Sequence, residues 1–545
     1  MADNTPSNSP PDEISGGTSA PALPPEPWKP RFNPWLIAVV VAMAAFMEVL
    51  DTSIANVALP YMAGSLGASN DQSTWVLTSY LVSNAVVLPI SGWFAGVLGR
   101  KRFFMICLAS FTAASLLCGI APTLGAIIFF RVLQGAGGGG LQPMAQAILA
   151  DTFPPEKRGL AFALYGVTAV VAPTIGPTLG GWITDNYSWR WIFFINLPVG
   201  ILALFLVYRI IEDPPWVKQR AGAGVKIDYI GVALLALGVG ALQIMLDKGQ
   251  EDDWFGSHFI LTLAILAGVG LVSLVIWEWF HKNPIVEVRL FKNLNFLGAN
   301  GMMFVLGIMY FGSLVMMPLF LQTLLGYTSE SAGLVLSASG LVLLFSMPVV
   351  GTLAGKVQAR YLIAFGWLML AFSNFYSTRE LDLQISFGSA SVLRIFQVGG
   401  LGFLFVPINL AAYVGMPLEK SNSISGLVNF MRNIGSSVGT SMVTALLARR
   451  AQVRQVYLAA HIGPGHPAFN LAASALAARL AAAGVQADLA AEKAVGMVYQ
   501  ALIGQATTLA YVDTFGILAV GSAVMFLLSF ALRKNQPGGG PVALE

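Results

Sequence analysis

Charge is what this sequence has least of. Of its 545 residues only 10% are Asp, Glu, Lys or Arg, while 56% are hydrophobic. Soluble globular domains carry about 25% charged residues, so the deficit excludes an ordinary soluble protein and points to lipid as the solvent. A net charge of +3 is too small to suggest a nucleic-acid partner. Cysteine is nearly absent: Cys107 and Cys118 are the only two. They share one predicted helix, and eleven residues of helix rise about 16 Å, which excludes a disulfide between them. Both read as small buried side chains. Cofactor and hydrolase motifs are equally scarce. There is no GxxxxGK[ST] or HExxH, so ATP drive is not expected, and no arrangement of residues suggests a hydrolase. His461 and His466 flank a turn without the further ligands that zinc requires, so no metal is expected. Gly135 to Gly140 formally fits GxGxxG. No strand precedes it and no acid follows at the ribose distance, so it reads as small residues packing helices in lipid.

What is present is a series of long apolar runs. Fourteen candidate spans run from 35–60 to 508–532, including 361–377 and 424–447. About 20 apolar residues suffice to cross a bilayer as a helix, so the expected class is an all-α integral membrane protein. Alternate loops carry the cations: Arg100, Lys101, Arg102, Lys157, Arg158, Lys218, Arg220 and Lys226 fall on one side. The other side's short loops hold only Arg190, Lys248 and Arg379. That asymmetry predicts cytoplasmic N- and C-termini. Residues 1–32 are rich in Pro, Ser and Gly and read as a disordered cytoplasmic tail, as does 533–545. No cleavable signal is expected, because the first apolar run is of full span length. The Ala-rich segment 448–505 opens with Arg449, Arg450 and Arg454. It reads as two helical arms joined by a Gly/Pro turn outside the membrane.

The chain repeats itself. FFRVLQGAGGGGLQP at Phe129–Pro143 and VLRIFQVGGLGFLFVP at Val392–Pro407 both place Gln three residues after Arg, then glycines, then Pro. Gly92-x-x-Ala95-Gly96 returns as Gly351-x-x-Ala354-Gly355. Two six-helix bundles, 33–211 and 291–532, with two inserted helices in 212–290, fit this spacing. Parallel repeats of this kind build one large class of secondary transporters.

A few polar residues interrupt the apolar runs. Glu48 and Asp51 share a helix face. A charge at that depth costs from about 3 to more than 10 kcal/mol, so these carboxyls either bind and release protons or make structural hydrogen bonds. Arg131, Arg394 and Arg432 also lie within predicted spans and need an acid or several acceptors. Arg131 is the expected partner of Asp51. Asn84, Gln142, Met144 and Arg432 are candidate substrate-binding residues from their helix positions. Pro173-Thr-Ile-Gly176-Pro177-Thr-Leu-Gly180-Gly181 reads as a segment that bends against a neighbouring helix.

Several stretches together are specific: LDTSIANVALP (Leu50–Pro60), RVLQGAGGG (Arg131–Gly139), APTIGPTLGG (Ala172–Gly181), WRWIFFINLPVG (Trp189–Gly200), LQIMLDKGQEDDWF (Leu242–Phe255) and SGLVNFMRNIGSSVGTS (Ser425–Ser441). On them the chain resembles the major facilitator superfamily, in its fourteen-helix drug:proton antiporter (EmrB/QacA) branch, and there the EmrB-type multidrug exporters. The resemblance implies a fourteen-helix major facilitator fold and export of hydrophobic toxic compounds in exchange for protons, with no cofactor. Asp51 and Arg131 match the family's helix-1 acid and helix-4 arginine. Gly176, Pro177, Gly180 and Gly181 match its helix-5 antiporter motif. Gly92, Gly99 and Arg100 match the loop after helix 2, but Gly96 stands where the family has Asp. The loss of that acid leaves Arg100 and Lys101 free to meet lipid headgroups. The resemblance further implies a bacterial inner membrane, a periplasmic EmrA-like adaptor docked near 448–505, and a TolC-like outer-membrane channel. A proton-coupled uptake symporter of the same fold and a non-transporting scaffold are the alternatives. A membrane-embedded enzyme would need a cluster of catalytic groups at one face, and none is present.

Overall fold

The computed structural model describes residues 30–215, 228–461 and 466–532. Nearly all of the two expected tails lies outside the described residues, as do Lys218, Arg220, Lys226 and the Gly/Pro turn after His461. The described residues form helices and turns and contain no strand. The helices in chain order are α1 (Pro34–Leu66), α2 (Asn70–Leu98), α3 (Arg100–Ile120), α4 (Leu124–Gly138), α5 (Leu141–Thr152), α6 (Pro155–Asn186), α7 (Trp191–Phe194) and α8 (Asn196–Ile210). They are followed by α9 (Tyr229–Lys248) and α10 (His258–Phe280). The second half comprises α11 (Leu294–Leu306), a π-turn at Gly307–Phe311, α12 (Gly312–Thr323), α13 (Ser329–Ala354), α14 (Ala359–Glu380), α15 (Phe387–Gly399) and α16 (Leu401–Tyr413). It closes with α17 (Ser421–His461), α18 (Pro467–Ala482) and α19 (Ala487–Leu528).

Local chemistry sets the ends. The Asn33 side chain accepts from the Trp35 N–H at 2.9 Å and opens α1. Ser69 and Gln72 form a reciprocal capping box at the start of α2. Gly67, at φ 63°, ends α1 in the left-handed conformation that glycine adopts without strain. In α10 the exposed residues Ile265, Val269, Val272 and Ile276 alternate with the buried face of Ala267, Gly270, Leu274 and Glu278. An apolar outward face is what a helix presents to lipid. α9 meets α10 through Gly238 and Gly270, where a Cβ on either would run into the other's backbone.

Twelve helical segments among the described residues are long and apolar enough to cross a membrane. The expected spans 361–377 and 424–447 correspond to α14 and α17, which are long helices of more polar composition. The expected span 124–147 is a pair of helices, α4 and α5, interrupted at Gly139 and Gly140. The two halves share one apolar core. Tyr165 stacks on Phe405 at 6.0 Å and Phe162 packs on Tyr413 at 5.8 Å.

The 448–505 segment differs from the expected two arms. α17 runs 41 residues and α19 runs 42, well beyond the roughly 20 that a bilayer needs. The arms are therefore continuations of these two helices. α18 lies between them and ends at a tight turn with Gly484 at φ 91°. Arg454 ties the bases of the arms together by donating two bonds to Asp513, at 2.9 and 2.6 Å.

Candidate functional site

Asp51 is 2% exposed and Arg131 fully buried. Their side chains meet at 2.6 Å between Nη1 and Oδ2. The carboxylate takes two more donors on Oδ1: Gln134 Nε2 at 3.0 Å and Asn196 Nδ2 at 2.7 Å. Arg131 donates from Nε and Nη1, while its Nη2 has no partner among the described residues. Nε donates to the Val76 carbonyl at 3.1 Å, and Nη1 also reaches Gln134 Oε1 at 2.9 Å. The Tyr80 ring lies 4.3 Å from its Cζ, a cation–π contact in a desolvated place. Asn196 is in turn fixed by Ser115, at 3.0 Å. The acid of α1 is thus caged by α4 and α8, with Tyr80 of α2 over its counter-ion.

Tyr80 also belongs to a second cluster. Its hydroxyl donates to Glu48 Oε1 at 3.0 Å, as does Asn84 Nδ2 at 3.0 Å. Gln142 donates to the other oxygen of Glu48. Gln142 Oε1 accepts from Tyr165 at 3.0 Å and from Arg432 of the second half. Arg432 lies 5.6 Å from the Phe405 ring. Glu48, Asn84, Gln142 and Arg432 therefore form one chain of hydrogen bonds that crosses between the halves. Met144 is fully buried within the main apolar core. Gly138 makes the Glu48 cluster possible, because a Cβ there would press on Asn84 and on Glu48 itself. Its neighbours Gly137 and Gly140 lie against Phe111 and Phe103 of α3, so the glycine run packs helices as expected.

Asn196, Tyr80 and Tyr165 were not singled out by sequence reasoning. Tyr80 and Asn84 are four apart and share a face of α2, a signal that was there to use. Asn196 sits alone in an aromatic run, and nothing in its spacing points to Asp51.

Gly176 and Gly180 of the Pro173–Gly181 segment face α1, whereas Gly181 has open space around it. A Cβ at Gly176 would collide with Ser53, and one at Gly180 would press on Ile54. Pro177 has no N–H, which frees the carbonyl four residues back. That carbonyl belongs to Pro173, and Ser53 Oγ donates to it at 3.1 Å. The neighbour against which this helix was expected to fit is thus the helix that carries Asp51.

The loop after α2 corrects an expectation. Arg100 does not face lipid headgroups: it is 1% exposed and paired with Asp151. Asp151 also accepts from Ser421 of the second half at 3.1 Å. The Lys101 N–H is capped by Asp213 at 2.8 Å, and its ammonium reaches the Tyr208 carbonyl at 2.6 Å. Asp151 thus pairs with Arg100 and Asp213 caps the start of α3, while Gly96 has open space around it. Gly92 closes the same end, since a Cβ there would strike the Ser423 backbone; Gly99, at φ 86°, turns the chain into α3.

Comparison with known proteins agrees with this architecture. A family model described as Major Facilitator Superfamily matches residues 41–440. The chain is 40% identical over 432 residues to the multidrug export protein EmrB of Haemophilus influenzae, covering 79% of this chain and 84% of that one. It is 35% identical over 506 residues to the multidrug export protein EmrB of Escherichia coli strain K12, covering 93% and 96%. The solved structure of the proton:xylose symporter XylE matches in fold alone, with TM-score 0.59 at 13% identity over 92% of this chain and 96% of that one. Twelve membrane-length helices among the described residues and a match to multidrug export proteins across most of its length make this multi-pass membrane protein a transporter, and the chain belongs to the Major Facilitator Superfamily.

Proposed function

We propose that this protein exports hydrophobic toxic compounds in exchange for protons, with Asp51 as the coupling carboxyl. The supporting observation is the buried cage around Asp51, in a chain similar over most of its length to multidrug export proteins. A proton arriving on Asp51 removes the charge that holds Arg131. Arg131 keeps the Val76 carbonyl, Gln134 and the Tyr80 ring as partners, so the tie between α1 and α4 loosens without stranding the cation. Tyr80 passes the change to Glu48, because one side chain contacts both. Cargo enters between the halves along Glu48, Asn84, Gln142 and Arg432, where its arrival competes with the bonds that bridge them. Inward proton movement supplies about 2.3 kcal/mol per charge per 100 mV.

In this reading α14 and α17 also cross the membrane, giving fourteen spans, and both termini are cytoplasmic. The membrane is the bacterial inner membrane. The arms of α17 to α19 meet an EmrA-like adaptor that leads to a TolC-like channel, and no cofactor takes part. The Arg100–Asp151–Ser421 tie then closes the cytoplasmic end and opens during transport. Drug efflux from proteoliposomes under an imposed proton gradient tests the assignment. Asp51→Asn should insert and bind drug yet lose gradient-driven export. Normal export by this variant would remove Asp51 from the role, and drug accumulation with the proton flux would favour the symporter.

A further inference from the structure

The second half holds a buried cation for which the described residues supply no acid. Arg394 on α15 is fully buried. It follows Arg131 by 263 residues, and Gln397 follows Gln134 by the same interval. The local pairing repeats too: Arg394 Nη1 donates to Gln397 Oε1 at 2.5 Å, as Arg131 donates to Gln134. What does not repeat is the carboxylate. Tyr310 lies 259 residues after Asp51, the interval that also separates Gly92 from Gly351. The Tyr310 ring is 5.7 Å from Arg394 Cζ. It is carried on the π-turn Gly307–Phe311, and such turns occur frequently at functional sites.

The result is a set of donors with nothing to receive them. Among the described residues Arg394 Nε and Nη2 and Asn374 Nδ2 meet no acceptor, and the Tyr310 hydroxyl, which lies beside the Arg394 guanidinium, makes no hydrogen bond of good geometry. Asn374 is held in place through its oxygen, which accepts from Gln397 Nε2 at 3.2 Å. Asn374 is fully buried and Tyr310 is 2% exposed. A guanidinium keeps its charge when buried, and the cost of taking it out of water must be offset by an opposite charge.

We propose that Arg394, Asn374 and Tyr310 bind a carboxylate group, either a small organic acid from solution or the head of a longer amphipathic acid. Guanidinium and amide N–H groups only donate, so the occupant is an acceptor and carries negative charge. Nε and Nη2 form one edge of the guanidinium, the edge that meets both oxygens of a carboxylate side by side. A halide satisfies the charge but not the fork. The site lies in the second bundle, apart from Asp51, and its occupant supplies there the charge that Asp51 supplies in the first.

Thermal unfolding of the whole protein in neutral detergent micelles tests this, with methanesulfonate as the only buffer anion. Acetate and decanoate are added separately, with chloride as the charge control. Wild type should be stabilised saturably by carboxylate at concentrations where chloride does little. Tyr310→Phe, which removes one hydroxyl and leaves the ring, should fold normally and need more carboxylate for the same shift. Arg394→Gln should need about ten-fold more or lose the response, the effect of one charge-assisted bond. Arg394→Lys should lose the preference over chloride. Stabilisation by acetate identifies a small free acid, and stabilisation by decanoate alone identifies the head of a longer one. An indifferent wild type, equal responses to chloride and both acids, or an unchanged response in Arg394→Gln would overturn the proposal. Binding in micelles needs no transport, so this result and the outcome of the export assay are independent.

Discussion

The Asp51–Arg131 pair makes a quantitative demand that a double-mutant cycle can check. Removing one partner of a buried ion pair costs about 3–5 kcal/mol, because the other charge is left without compensation. Here the loss is softened on both sides. In Asp51→Asn, Arg131 keeps the Val76 carbonyl at 3.1 Å, Gln134 at 2.9 Å and the Tyr80 ring at 4.3 Å. In Arg131→Gln, the carboxylate keeps Gln134 at 3.0 Å and Asn196 at 2.7 Å. Each single change should therefore sit near the low end, about 3 kcal/mol. The double variant leaves no ion in the cage, and two facing amides regain a neutral hydrogen bond worth about 1 kcal/mol. It should cost no more than either single change, so the interaction energy should be about 3 kcal/mol in magnitude. Unfolding in mixed micelles with a denaturing detergent, followed by tryptophan fluorescence, measures all four corners. Additivity within about 0.5 kcal/mol would refute the reasoning, since it would mean that the two charges do not depend on each other. Drug-induced proton release should be absent from all three variants. The double variant then separates a folding role, which it recovers, from a coupling role, which it does not.

Two further outcomes follow from packing and surface chemistry. Gly176→Ala should push α1 at Ser53, two residues from Asp51, cost about 1–3 kcal/mol as an overpacked contact and depress transport. Gly181→Ala meets nothing within 4 Å and should stay within about 0.5 kcal/mol of wild type with normal transport; equal effects in the two would sink the packing account. Arg454→Ala removes a partly exposed bidentate pair with Asp513, so stability in micelles should fall by about 1 kcal/mol or less. Limited proteolysis should nonetheless cut the α17–α19 arms faster than in wild type, and Arg449→Ala, at an exposed position, should leave the rate unchanged.

The membrane class and the charged residues that the fold buries were legible in the residues alone, because each rests on a property that burial in lipid makes extreme. A carboxyl or guanidinium inside an apolar run is costly enough that Asp51, Glu48, Arg131 and Arg394 stand out without any coordinates. Long apolar runs did the same for the helices, including α14 and α17 despite their more polar composition. The partners were another matter. Asn196 lies 145 residues from Asp51 along the chain, and no spacing rule joins them. Asp151 and Asp213 reach Arg100 and the Lys101 N–H from elements that only folding brings to α3. The use of the Pro173 carbonyl by Ser53 could be seen only once α1 and α6 were side by side. Sequence alone determined which charges had to be answered inside the membrane, since desolvation is a property of a residue and its local run. Tertiary structure decided what answers them: Arg131, Gln134 and Asn196 at Asp51, and at Arg394 no acid among the described residues, because hydrogen bonds are satisfied between helices whose neighbours only the fold selects.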